Sequence, residues 1–331
     1  MKKPISILMS LIFMCVAFVP DALAGTFRKN TVVMGTALEM TIDTAGEEAA
    51  ETVFSSVERE MKRIEGQMSE WIEGSPLTEV NRAAGVRPVK VPGELFNVIS
   101  AAMKVSELSG GAFDITWASM RGLWDFRAGH ERLPSPEEVK KRLALVDYRD
   151  VVMDASSSTV FLKRKGMAIG LGAIAKGYAV DKAMEAVIAS GVTNAIIKAG
   201  GDIRVQGVGR AGEAGWDVGI QDPRDRGRLM ARLTLSNASI STSGDYERFF
   251  MKDGRLYHHI MDPKTGYPAT GTRSVTVIGP DTMTTDALST AIFVLGPQKG
   301  MELAKKLPGI ELMIIDNMGV VTASGGMELR R

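Results

Sequence analysis

Thiol chemistry is nearly absent from this chain. Cys15 is the single cysteine among 331 residues, so neither a disulfide framework nor a cysteine-clustered zinc site can be built. Histidine is almost as scarce, limited to His130, His258 and His259. Charge of one sign is lacking too: 40 Lys plus Arg oppose 39 Asp plus Glu. That balance argues against a nucleic-acid partner, because such proteins carry a basic excess to meet phosphates. There is no Walker A loop and no three-glycine Rossmann fingerprint, which removes the two commonest nucleotide-binding modes. Internal repeats, low-complexity tracts and linker-like stretches are also missing, so one domain is expected rather than two. With 45% hydrophobic and 24% charged residues, the chain is too ordinary in composition to be disordered.

The N-terminus carries the first positive signal. Lys2 and Lys3 precede an apolar run from Ile5 to Val19, and Ala22-Leu23-Ala24 places small residues where a signal peptidase cuts. Residues 1–24 therefore read as a secretory leader, cleaved before Gly25, and predict a periplasmic protein. The run is shorter than the ~20 residues of a spanning helix, so no stable membrane insertion is expected after cleavage. Bulky Ile12, Phe13 and Met14 precede Cys15 where a lipid-attachment signal wants small residues, which argues against a lipoprotein anchor. The leader takes Cys15 with it, and losing Lys2, Lys3 and Asp21 from 40 basic and 39 acidic residues leaves 38 of each sign in residues 25–331.

Periodicity places the elements. Residues 31–43 are β-rich and partly alternating, and read as one strand. From Glu47 to about Met68, the apolar Ala50, Val53, Phe54, Val57, Met61, Ile64 and Met68 recur every three or four residues, the pattern of an amphipathic helix. A second helix follows Pro92 and stops at Gly110-Gly111, and a short one opens at Pro134-Ser135-Pro136. Segments 151–154 and 159–163 read as a hairpin, and Ala173 to Ile188 as a helix feeding the strand Ala195-Ile196-Ile197. Strands are expected at 216–220, 229–235 and 274–278. Helices from Thr285 to about Val294 and from Pro297 to Leu307 precede a last strand pair near 310–315 and 319–323. Without a regular βαβ alternation this is an α+β chain, with mixed or antiparallel sheets and packed helices.

Four glycine-containing junctions, at 110–116, 170–183, 198–203 and 241–248, lie where regular elements begin or end. Such glycines either serve as caps and turns or let backbone N–H groups approach the phosphates of a nucleotide. Lys176 falls in the first turn of a helix, against the dipole, so it either points to solvent or meets an anion. Asp286 and Thr290 share a helix face one turn apart. They are either a capping acid with a packed threonine, or two hard oxygen donors of the kind Mg²⁺ accepts. His258 and His259 stand just before the tight turn Asp262-Pro263-Lys264-Thr265-Gly266, where one of them is either structural or a general base.

In order and spacing, MGT at 34–36, SEWIEGSPLTEVN at 69–81, GGAFDIT, LGAIAKGYAVD, AGGDI, STSGDYER, HHIMDPKTGYP and TTDALSTAIFVLG resemble the ApbE family, the FAD:protein FMN transferases. The resemblance spans nearly all of residues 25–331 and implies the T-fold-like architecture of that family. It also implies an exported, Mg²⁺-dependent enzyme that splits FAD, attaches FMN by a phosphoester bond to a Thr or Ser of an acceptor flavoprotein subunit, and releases AMP. By resemblance, FAD would be held by Met34, Trp71, Ala112, Phe113, Asp114, Lys176, the backbone near His258 and the position of Gly170. The metal would be held by Asp286, Thr290 and the carbonyl of Ala173, and His259 would act in flavin transfer.

Two positions depart from the family's pattern. Gly170 stands where members usually carry an aspartate, and Lys198 where many carry asparagine. The expectation for Lys198 is that its ammonium approaches a phosphate or a nearby acid in compensation. Two other activities fit the same residues: a metal-dependent FAD pyrophosphatase, in which water replaces the acceptor hydroxyl, and a periplasmic protein that binds FAD without cleaving it.

Overall fold

Residues 25–209 and 214–330 are described by a computed structural model; the leader read at 1–24 lies outside them. In chain order the first half holds β1 (Gly25–Val33), β2 (Thr36–Thr44), α1 (Glu47–Met68), α2 (Pro76–Arg82), β3 (Val89–Lys90), α3 (Gly93–Leu108), α4 (Pro136–Leu143), β4 (Val151–Asp154) and β5 (Thr159–Leu162). Next come α5 (Ala175–Ala189), β6 (Ala195–Ala199), β7 (Asp202–Gln206), β8 (Trp216–Asp222), β9 (Asp225–Leu235), β10 (Ala238–Gly244), β11 (Phe249–Lys252) and β12 (Arg255–His258). The chain closes with β13 (Thr272–Gly279), α6 (Thr282–Ala304), β14 (Glu311–Asp316) and β15 (Val321–Ala323).

One eight-stranded sheet, ordered β1-β2-β6-β7-β10-β13-β14-β15, is antiparallel at every pairing. Successive side chains point to opposite faces of a strand, and here both faces are covered. Ala195, Ile197 and Ala199 of β6, Val275 and Val277 of β13, and Leu312 and Ile314 of β14 join a core shared with α1, α5 and α6. Ile196, Ile278, Met313 and Ile315 point the other way, into a second core closed by Val218, Ile220 and Leu233 of the β8–β9 hairpin. Burial on both faces is why these strands read as continuous apolar runs. The α+β class expected from the sequence is the class observed.

Helix α1 spans Glu47–Met68, and all seven of its apolar stripe positions are buried. The hairpin of β4 and β5 and the short α4 also stand where expected, α4 opened by a capping box between Ser135 and Glu138. The strand expected at 31–43 is instead two strands. Val33 pairs with Thr36, and Met34 and Gly35 between them both take positive φ, at 51° and 68°, as a two-residue hairpin turn demands. The two helices expected near the C-terminus are α6, interrupted at Gly296, whose φ of 78° is not helical. Helix α2, capped by Ser75 and opened by Pro76, lies outside the expected elements, as do β3, β7, β10, β11 and β12. Among the described residues, no helix is long and apolar enough to cross a membrane.

Candidate active site

Several turns and helix starts converge at one end of the large sheet. The β1–β2 turn meets the β6–β7 turn, where Gly200 N–H donates to the Ala37 carbonyl at 3.0 Å. Asp202 leaves that second turn and is almost fully buried, and its Oδ2 lies 3.0 Å from Lys176 Nζ. Lys176 also pairs with buried Asp286 at 3.2 Å and donates to the Gly172 carbonyl at 3.1 Å. The anion required by a lysine in the first turn of α5 is thus a pair of carboxylates from β7 and α6. Burial opposes the Lys176 charge, but the two acids outweigh it and raise its pKa. Burial and the repulsion of Asp202 push the Asp286 carboxyl well above the ordinary aspartate range, against the pull of Lys176.

Asp286 is free to serve this cluster because another residue caps α6. Asp281 accepts the Thr284 N–H, and Asp181 of α5 accepts those of Thr282 and Met283. Instead, Asp286 Oδ2 accepts the Gly177 N–H at 3.0 Å, locking the start of α5 to α6. This approach requires Gly177: a Cβ there would lie 2.2 Å from the Thr282 carbonyl oxygen. With its N–H committed to Asp286, Gly177 does not close the helical bond to Ala173, whose carbonyl accepts no hydrogen bond among the described residues.

The donors suit a hard divalent cation. Two buried carboxylates share one lysine, leaving a negative excess, and they lie beside the unclaimed Ala173 carbonyl and the Thr290 hydroxyl one turn beyond Asp286. Thr290 is steered by Ser243 of β10, 3.3 Å from its Oγ1. Among the described residues there is no cluster of three or more His, Cys, Asp or Glu, so a metal here would rest on mixed oxygen donors.

His258 and His259 differ in their commitments. His258 is buried: its Nε2 contacts the Ala269 carbonyl at 3.0 Å, and its Nδ1 accepts the Ile260 N–H at 3.3 Å. The ring of His259 keeps a buried Nδ1 without a partner. Its pKa is lowered to about 4, first by loss of solvent and then by the nearby charges of Arg248 and Lys176. A neutral imidazole with a vacant nitrogen beside the acid–lysine cluster is equipped to accept a proton.

The remaining predicted residues lie on other segments, each with its own partners. Trp71 is 75% exposed, with the Arg121 guanidinium 4.7 Å from its ring centroid. Ala112 and Phe113 are buried, and their N–H groups donate to the carbonyl and the hydroxyl of Ser109 at 3.3 and 3.0 Å. Asp114 accepts from Thr116 N–H and Tyr148 N–H, at 2.8 and 2.9 Å, which makes its carboxylate a tie between loops. Met34 packs on the core from its strained turn. The acid that Lys198 approaches is Glu39, at 2.8 Å, as a cross-strand pair between β6 and β2 with both side chains well exposed. Asp202, Ser243 and Arg121 were not assigned from sequence. Asp202 had a signal, since it closes the AGGD junction and Lys176 called for an anion.

Comparison with known proteins gives a consistent result. The ApbE family profile matches residues 34–314. The FAD:protein FMN transferase of Treponema pallidum (strain Nichols) is 36% identical over 293 residues, covering 84% of this chain and 80% of that protein. Its namesake in Klebsiella pneumoniae (strain 342) is 31% identical over 306 residues, covering 92% and 93%. Among solved structures, the ApbE protein of Thermotoga maritima superposes with a TM-score of 0.83 at 34% identity, covering 91% of this chain and 97% of that one. The flavin transferase ApbE of Vibrio cholerae gives 0.82 at 28% identity, covering 91% and 98%.

Proposed function

Because the chain belongs to the ApbE family, we propose that it transfers FMN from FAD to a Thr or Ser hydroxyl of an acceptor protein, forming a phosphoester and releasing AMP. The observation that carries this reading is His259, neutral and with an unpartnered Nδ1, next to the Lys176–Asp202–Asp286 cluster. Phosphoryl transfer asks a protein mainly for alignment, charge neutralisation and removal of one proton. His259 accepts the proton of the acceptor hydroxyl as its oxygen attacks the phosphorus of the FMN half. The P–O bond to the AMP phosphate then breaks and its electrons leave with AMP, so no protein nucleophile is needed.

Asp286, Thr290 and the Ala173 carbonyl are the residues that would hold Mg²⁺. When bound, the ion offsets negative charge on the pyrophosphate oxygens. Lys176 stays charged and adds a fixed positive group at the same place. Trp71, Met34 and the backbone at 112–114 provide surfaces for FAD. As part of the same proposal, residues 1–24 are a cleaved leader, residues 25–331 form the transferase domain, and the enzyme meets its acceptor in the periplasm.

The test is flavin fluorescence on a denaturing gel after incubation with FAD, Mg²⁺ and a candidate acceptor subunit. A fluorescent acceptor band is expected with the wild type and none with His259→Ala, while FAD binding persists in the variant. Free FMN without a labelled band would assign hydrolysis instead.

A further inference from the structure

Gly170 has no side chain, and another residue fills the space it leaves. A Cβ built at Gly170 would lie 1.9 Å from Glu70 Oε2 and 2.9 Å from Glu70 Cδ. Backbone strain is not the reason for this glycine, since its φ lies outside the positive range. The Glu70 carboxylate therefore rests directly on the Gly170 backbone, and its side chain is only 19% exposed. Its position is fixed on the other side by Arg121: Nη2 lies 2.9 Å from Oε2, and Nη1 donates to the Glu70 carbonyl at 3.2 Å. The same guanidinium covers one face of the Trp71 ring.

This arrangement is more expensive than a surface ion pair. Burial pushes the Glu70 carboxyl upward, and Arg121 only partly reverses it. Arg121 Nε is itself buried without a hydrogen-bond acceptor, while Nη2 meets Glu70 Oε2 as the ion pair. Unmet donors beside a desolvated carboxylate cost stability unless a ligand uses them. The location fits such a use. The Glu70 carboxylate touches Gly170, at the head of the loop that leads through Gly172 and Ala173 to Lys176, and it pairs with the Arg121 that lies over the exposed Trp71 indole. A flat heteroaromatic ring resting on the indole would turn its N–H and C=O edge toward a carboxylate and a guanidinium.

We infer that Glu70 is an FAD-positioning residue of this chain, its carboxylate occupying the volume left by Gly170 and holding Arg121 and Trp71 as one wall of the FAD site. The inference rests on the transferase reading. Glu70 acts through binding and orientation and takes no part in proton transfer.

Moving the carboxylate from one backbone position to the other tests it. FAD affinity is read by flavin-fluorescence titration, and KM and kcat by the gel assay, for wild type, Glu70→Ala, Glu70→Gln, Gly170→Asp and Glu70→Ala/Gly170→Asp. Wild-type protein that neither binds FAD nor labels an acceptor would sink the transferase reading before any variant is compared. With that reading intact, Glu70→Ala and Glu70→Gln are expected to weaken FAD binding roughly tenfold or more, the scale of one lost charged hydrogen bond, mainly in KM. Gly170→Asp alone is expected to lose affinity as well, by driving Glu70 off Arg121. The double variant, with a carboxylate returned to the same volume, is expected to recover most of what Glu70→Ala loses. Wild-type affinity in Glu70→Gln, whose packing is conserved, would overturn the inference, and so would a double variant no better than Glu70→Ala.

Discussion

His258 Nδ1 accepts the Ile260 N–H, so the proton of the neutral ring is on Nε2 and is donated to the Ala269 carbonyl. A second proton would face an N–H donor, and burial already lowers the His258 pKa to about 4 from the usual 6.5. The unfolded chain takes up this proton near pH 6.5 and the folded chain only near pH 4. Stability linked to His258 is therefore complete above pH 6.5 and lost as pH falls toward 4, by about 3 kcal/mol at roughly 1.4 kcal/mol per unit. Asp245 works in the opposite direction, because burial raises its carboxyl to about 6 against the pull of Arg273. Comparing urea unfolding of wild type and His258→Gln at pH 7 and pH 4.5 cancels that contribution, and the wild-type advantage is expected to shrink at the lower pH. His259 has the same pKa direction but a different consequence. A base must be unprotonated, so the contribution of His259 to the rate of transfer is expected to be lost as pH drops through about 4. An acid limb centred near 6.5 in single-turnover transfer would mean that the His259 ring is hydrated when it acts, and a limb unchanged in His259→Ala would mean that it is not the base.

At the level of elements, the contact between the start of α5 and α6 determines the site. Gly177→Ala makes the point quantitatively: alanine gains about 1 kcal/mol of helix propensity over glycine. Its Cβ would nonetheless meet the Thr282 carbonyl oxygen at 2.2 Å and Asp286 Cβ at 2.8 Å, and overpacking of this kind costs about 1–3 kcal/mol. Net destabilisation in urea is expected, together with a higher Mg²⁺ requirement for transfer, because the Gly177 N–H that orients Asp286 moves with the helix. The same contact explains what could and could not be read from the sequence. Helix α1 was legible because its buried stripe is apolar at helical spacing. Strand β10 was not, because its inward residues are serines: Ser239, Ser241 and Ser243 bond Thr282, Thr285 and Ser289 of α6 at 2.8–2.9 Å. A hydroxyl ladder buries a strand face without any hydrophobic period, so ASISTSG carries no strand signal. Met34 hid the first hairpin in the same manner, as an apolar residue at a positive-φ turn position where Asn or Asp is usual.

For the whole molecule, the site is made by segments far apart in sequence, which is why its parts were visible as motifs but their connections were not. Asp202, Lys176 and Asp286 come from β7, α5 and α6 and meet only when the sheet and its helical layer are assembled. With 38 charges of each sign in residues 25–331, no general positive field draws in an anionic dinucleotide; attraction has to be local. An ion bound by groups from α6 and from the loop before α5 would bind the folded chain and not the unfolded one, and would stabilise the fold by mass action. At a free Mg²⁺ concentration one hundred times its dissociation constant the gain is about 2.7 kcal/mol, enough to raise the melting temperature by roughly 5 °C. The shift is expected in wild type on adding Mg²⁺ to chelator-treated protein, and is expected to vanish in Asp286→Asn. An equal shift in both proteins would place the cation elsewhere and remove Asp286 from its coordination. No shift in either would leave Lys176 as the sole neutralising charge at the pyrophosphate.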